Sequence, residues 1–247
     1  MTFCIGIKVK DGLVGIADTR VTTGSECITA RKITMHQHGE HSMFLTTSGL
    51  RAARDKALTY FEDVIAESDQ NYDRLYKAVN GFAEQIRRVA HEDKEALAEV
   101  GLPFNLHALV GGQFERDPEP KLYMLYPQGN WVEVSRGSPY FVIGESRYGK
   151  PLLDRALRYE SSIGDAVKAG YLAFDATRAS ASDVDFPLDV VVYRNDQRTM
   201  VEHRYTREEL QDLSDWWNER ILDAFTQAPN GWSDTVLNKF DTLAPRA

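Results

Sequence analysis

The apolar positions of this chain change period along its length, and those changes divide it into groups of strands and groups of helices. Near the start, Phe3, Ile5, Ile7 and Val9 alternate with Thr2, Cys4, Gly6 and Lys8, the period-two pattern of a strand. A second alternating run covers residues 13–19, and Lys10-Asp11-Gly12 joins the two. An Asp-Gly step between alternating segments predicts a hairpin. With its turn near Asp11, antiparallel pairing carries Thr2 back to Asp18, Thr19 and Arg20. Residues 21–26 are small and polar and read as a loop. Residues 31–35 predict a short strand or bend, and residues 42–47 a strand that ends at Ser48-Gly49.

The period then lengthens. Leu50, Ala53, Ala57, Phe61, Val64 and Ile65 keep helical spacing, as do Leu75, Val79, Phe82, Ile86 and Val89. Gly101-Leu102-Pro103 closes that helical section. Strands resume at residues 105–111, 122–125, 131–134 and 139–143, separated by turns rich in Pro and Gly. Residues 148–157 and 163–177 predict a second helical pair, the latter with a small-residue face at Ala166, Gly170 and Ala173. Residues 188–193 and 199–205 form a hairpin across Asn195-Asp196. Thr206 and Glu209 then fit a capping box, opening a helix with the stripe Leu210, Leu213, Trp217, Ile221 and Phe225. Residues 232–240 predict a last short helix.

Helices in pairs between strand groups predict an α+β fold of four αββα layers: two antiparallel sheets face to face, each with a helix layer outside. No linker interrupts the pattern, so the expectation is one domain over residues 1–247, with a C-terminal helical extension at about residues 206–247.

Composition narrows the class. The chain is 43% apolar and 27% charged, which is globular rather than disordered. Its net charge is −8 and no block of Lys or Arg stands out, which argues against nucleic acid as a partner. No apolar run approaches the ~20 residues of a membrane helix, and the start does not read as a signal peptide. Cys4 and Cys27 make neither a disulfide framework nor a metal site. The expectation is a cytoplasmic protein with reduced thiols, no metal and no cofactor.

Thr2 carries the candidate chemistry. Removal of Met1 from before a small residue leaves Thr2 with a hydroxyl and a free α-amine on one residue. The expected processing is loss of Met1 alone, with no longer leader to cut. An N-terminal Thr can act as nucleophile with its own amine as base, since that amine has an ordinary pKa of roughly 7.7–8.0. By itself, Met-Thr is also simply how many chains begin.

The N-terminal Thr2, Asp18-Thr19-Arg20 at the far end of the hairpin, Arg31-Lys32, Ser48-Gly49 before a helix, and the four-layer pattern together resemble a proteasome β-type subunit of the N-terminal nucleophile hydrolases. The start Met-Thr-Phe-Cys, the run IGESRYGKPLLDRAL at residues 143–157 and the run PLDVVVYR at residues 187–194 look like the bacterial ancestral β subunits known as Anbu. The resemblance implies that the Thr2 hydroxyl attacks a carbonyl, that Lys32 stabilises the forming alkoxide, and that Asp18 fixes Lys32. It implies that the Gly49 N–H faces the developing oxyanion. In this family an Asp and a Ser stand near the nucleophile in the loop before a late strand. Here Ala179 falls where direct alignment places the Asp; Ser182 matches the Ser, and Asp183 is the alternative if the loop is shifted. The stretch between Asp18 and Lys32 is also a residue or more shorter than the family pattern.

Each of these residues has a plainer reading. Asp18 with Arg20 can be an edge salt bridge, Lys32 with Arg31 a solvated pair, Gly49 a helix start and Cys4 a small core residue. The resemblance implies a threonine-type peptidase acting on peptide or amide substrates. It would work inside a homo-oligomeric ring or helical stack, without nucleic acid or membrane. The alternatives are a non-hydrolytic assembly component of the same fold and an amidase for a small amide-linked metabolite.

Overall fold

The computed structural model describes residues 2–23, 26–68 and 72–240. The chain divides into two compact units, Met1–Arg207 and Glu208–Ala247. The first unit opens with the expected hairpin, β1 (Phe3–Val9) and β2 (Gly12–Asp18), in which Cys4 pairs with Ala17. Then come β3 (Arg20–Thr23), β4 (Glu26–Thr29), β5 (Ile33–His38) and β6 (His41–Gly49). The helices α1 (Arg51–Ser68) and α2 (Leu75–Glu99) follow, then β7 (Leu106–Gln113), β8 (Lys121–Leu125), β9 (Trp131–Glu133) and β10 (Tyr140–Gly144). The helices α3 (Lys150–Ala156) and α4 (Ile163–Ser180) and the hairpin β11 (Leu188–Arg194) and β12 (Thr199–Tyr205) complete it.

One sheet runs in the order β10-β1-β2-β11-β12 and the other in the order β5-β6-β7-β8-β9, antiparallel at every pairing given. Both faces of the first sheet are covered, which is why every residue of β1 and β2 is buried. On one face Phe3 meets Phe174 of α4, their ring centroids 6.1 Å apart. On the other, Cys4, Leu13 and Ala17 pack with Phe44, Leu109 and Leu122 of the second sheet. Ala166, Gly170 and Ala173, the small face expected on α4, are buried. A second core lies under α1 and α2, where Phe61 and Phe82 pack with Val110, Tyr123 and Leu125. The result is the αββα sandwich expected, with α1 and α2 on one sheet and α4 on the other.

Residues 21–26 differ from expectation. Instead of a loop they belong to the hairpin of β3 and β4, in which Val21 pairs with Ile28 and Thr22 with Cys27. Residues 24 and 25, at its tip, lie outside the described residues. β-branched side chains at Val21, Thr22 and Ile28 favour extended backbone where small polar composition alone had suggested a loop.

The second unit holds nearly all of α5 (Arg207–Thr226), and α6 (Gly231–Leu237). The expected stripe of α5 is half-buried at Leu210, Leu213 and Trp217 and exposed at Ile221 and Phe225. Among the described residues, no helix is long and apolar enough to cross a membrane.

Candidate active site

The site begins where β2 runs out of partners. Asp18 is the last residue of β2, and the hairpin register sets it against the first peptide of β1. The Phe3 N–H donates to Asp18 Oδ1 at 2.8 Å, and the Arg20 N–H donates to Oδ2 at 3.2 Å. Between β2 and β3, the Thr19 N–H and hydroxyl donate to the Pro187 carbonyl at 3.1 and 2.7 Å, which pins the chain as it leaves the sheet. Lys32, just before β5, returns to this point. Its Nζ donates to Asp18 Oδ1 at 2.7 Å and to the Arg20 carbonyl at 2.6 Å. Both side chains are inaccessible, 0% exposed for Asp18 and 3% for Lys32. Burial pushes the Asp18 carboxyl up from its ordinary range, and the Lys32 ammonium pulls against that shift. A buried pair is tolerable only when its remaining polar atoms are satisfied, and the two N–H donors and the Arg20 carbonyl do that here.

The opposite wall is made of two strand ends. Gly49 closes β6 with φ at +139°, and a Cβ there would lie 1.9 Å from the Asn105 carbonyl oxygen. Only glycine fits that bend, and it delivers the chain directly into α1. Gly144 closes β10 with φ at +84°, and a Cβ there would lie 1.9 Å from the Thr2 carbonyl oxygen. The same carbonyl accepts from the Glu145 N–H at 2.7 Å. Thr2 is therefore held by its own backbone before its side chain is considered.

A cleft of about 340 Å³ opens between these walls, lined by Thr2, Arg20, Val21, Thr22, Lys32, Thr47, Ser48, Gly49, Arg51, Arg54, Asn105 and Gly144. Thr2, Lys32 and Gly49 thus share one cavity, with Asp18 behind Lys32. The short stretch before Lys32 does not displace it. Lys32 is not a solvated partner of Arg31, and the Arg20 guanidinium turns to Asp185 at 3.1 Å rather than to Asp18. Cys4 is a buried core residue, and burial pushes its thiol up to about 12.

Ser182 is the predicted residue that the structure does not bring into the cleft. α4 extends to Ser180, so Ala179 lies in its last turn, and Ser182 is exposed in the turn that follows. Asp183 is half-buried there. Its carboxyl is held below the ordinary range, first by a hydrogen bond and the charge of the chain's α-amino group, and further by the Thr22 hydroxyl and Arg20. Sequence reasoning missed Gly144, Glu145, Arg51 and Arg54. For the arginines a signal existed: two cations in the first turn of α1 oppose the helix dipole, and no acid stands in that turn. Among the described residues, no cluster of three or more His, Cys, Asp or Glu could hold a metal ion.

A fold of two sandwiched sheets with a threonine, a buried lysine–aspartate pair and a glycine bend around one cleft defines a class. The proteasome subunit model matches residues 2–192 of the chain, and the chain belongs to the proteasome subunit family. Within that family its structural likeness is to Anbu, the ancestral β subunit. Anbu from Yersinia bercovieri superposes with a TM-score of 0.85 at 28% identity, covering 92% of this chain and 97% of that one. A structure described as the helical assembly of the Anbu complex from Pseudomonas aeruginosa gives the same TM-score, identity and coverage. By sequence, the chain is 28% identical over 232 residues to a proteasome subunit alpha of Archaeoglobus fulgidus, spanning 89% of this chain and 83% of the relative.

Proposed function

We propose that the chain is a threonine-type N-terminal nucleophile hydrolase that cuts peptide or amide bonds. The observation that carries this reading is the buried Asp18–Lys32 pair in the cleft that holds Thr2. A fixed ammonium beside a hydroxyl lowers the cost of alkoxide character, and here burial keeps it from relaxing into water. Removal of Met1, which lies outside the described residues, would place the free α-amine on Thr2 itself.

The Thr2 hydroxyl oxygen then attacks the substrate carbonyl carbon while its proton passes, through a water, to the Thr2 amine. The Gly49 N–H is the candidate donor to the oxyanion. Collapse of the tetrahedral species returns the proton to the leaving amine and leaves an ester on Thr2. Water, activated by the same amine, hydrolyses that ester and restores the hydroxyl. Asp18 orients Lys32 by its hydrogen bond. Asp183, whose carboxyl feels the chain's α-amino group, is our choice over the exposed Ser182 as the amine's partner.

The test compares peptide hydrolysis by protein that begins at Thr2 with protein carrying extra residues ahead of it. The expected result is activity only in the first. Equal activity from the extended protein would reject the nucleophile assignment.

One observation favours a second reading, a non-hydrolytic assembly component: the curated relative is an alpha subunit. Inactivity of protein beginning at Thr2, across a broad peptide library, would favour it. A homo-oligomer is part of the proposal under either reading, supported by the helical assembly described for the Pseudomonas aeruginosa Anbu complex. Ile221, Leu222 and Phe225 expose apolar surface on α5, and we assign this face to subunit contacts. Phe225→Asp is expected to lower the particle mass seen by light scattering.

A further inference from the structure

The cleft around Thr2 is lined by cations and by no carboxylate. Arg20, Lys32, Arg51 and Arg54 all line it, and every other lining residue is uncharged. Lys32 is neutralised by Asp18. The three arginines are not neutralised in the same way, because each carboxylate behind them serves two guanidiniums. Asp55 accepts from Arg54 Nε and Nη2 at 2.8 and 2.6 Å and stands 3.4 Å from Arg51 Nε. Asp185 pairs with Arg20 at 3.1 Å and with Arg207 at 2.6 Å. Two carboxylates thus face four guanidiniums, and the surplus positive charge stays at the cleft.

Two further features point to an anion. Arg51 and Arg54 occupy the first turn of α1, where backbone N–H groups already favour negative charge and make two cations locally unfavourable. A ligand carboxylate would relieve that conflict. Beside them, Thr47 is 2% exposed and lines the cleft, and its hydroxyl has no hydrogen-bond partner among the described residues. A buried donor left without a partner costs free energy unless something bound satisfies it.

We infer that the cleft selects an acidic residue, Asp or Glu, on the carbonyl side of the bond to be cut, its carboxylate received by Arg51 and Arg54 with the Thr47 hydroxyl. This rests on the hydrolase reading for its consequence in turnover, but not for binding. Arg51 is half exposed and free to swing toward a ligand, while Arg54 is tied to the Arg31 carbonyl at 3.3 Å and gives the pocket a fixed charge.

The experiment uses peptides identical except for Glu, Gln, Leu or Lys before the scissile amide. Hydrolysis is measured by kcat/KM, and binding of the same peptides by calorimetry with the oligomer as purified. Glu is expected to exceed Gln by at least about tenfold in both, from a charge-assisted hydrogen bond. Arg51→Gln should remove most of that gap, and Arg51→Glu should turn the preference toward Lys. Arg54→Gln provides a second variant of the same pocket. Cleavage with Gln, Leu or Lys equal to or above Glu would overturn the inference. If no peptide is cleaved but Glu binds best and Arg51→Gln abolishes the difference, the pocket stands and the hydrolase reading falls. Equal binding of Glu and Gln overturns the pocket.

Discussion

The cleft contains two sets of positive charge that differ in how they are held. Lys32 is buried, bonded to one carboxylate oxygen and one carbonyl, with nowhere to go. Arg51 and Arg20 are partly in water and share their carboxylates with other arginines. A buried ion pair is expensive to dismantle, because removing one partner strands the other. An exposed pair contributes little to stability and is free to exchange partners. The difference separates chemistry from recognition: the fixed charge acts on the reacting atoms, and the exchangeable charges choose what is bound.

The largest expected effect breaks the first set. Lys32→Ala should lower kcat on the order of 10²-fold or more, as loss of one fixed transition-state contact does. It should also destabilise the fold by about 3–5 kcal/mol, since Asp18 is left buried and unpaired. Steady-state kinetics and denaturant unfolding read the two effects separately. Asp18→Asn is expected to give a smaller loss of turnover, because the Phe3 and Arg20 N–H groups still find an acceptor while the charge that fixes Lys32 is gone.

The second set should respond differently. Arg51→Gln is expected to leave unfolding free energy within about 0.5 kcal/mol, as for an ordinary surface substitution, while moving substrate preference. Raising salt from 0.05 to about 0.5 M should likewise erode discrimination at the partly exposed arginines and spare the buried Lys32 pair.

A smaller effect concerns pH. The α-amino group lowers the Asp183 carboxyl, so by reciprocity the carboxylate raises the amine toward its charged form. The amine must be neutral to act as base. Asp183→Asn should therefore lower the amine's pKa and move the acidic limb of kcat/KM to lower pH. An unmoved limb would assign the amine's partner elsewhere.

How much of this was legible depends on the range of the interactions. The hairpin was readable because an Asp-Gly turn and period-two alternation are local, and they alone brought Thr2 toward Asp18. Lys32 and Gly49 were named only through a family resemblance, since what places them is tertiary. Lys32 is fixed by the Arg20 carbonyl and Gly49 by the Asn105 peptide, contacts no local pattern reports. The turn after α4 was the hardest part. Whether Ser182 or Asp183 faces the chain's start depends on where that helix stops, and one extra residue rotates the next side chain away. Residues 21–26 were misread because their polarity outweighed their β-branched content. The first turn of α1 held a readable conflict, two arginines against the helix dipole, and that local contradiction marks the cleft.

The central claim is that Thr2 becomes the nucleophile once Met1 is gone. Purified protein incubated with a β-lactone, an electrophile that esterifies activated hydroxyls, can be digested and read by mass spectrometry. The account predicts a first peptide that begins at Thr2 and carries the acyl group on its hydroxyl, with labelling lost in Lys32→Ala. An active protein that retains Met1, or one acylated at any other residue, would contradict it.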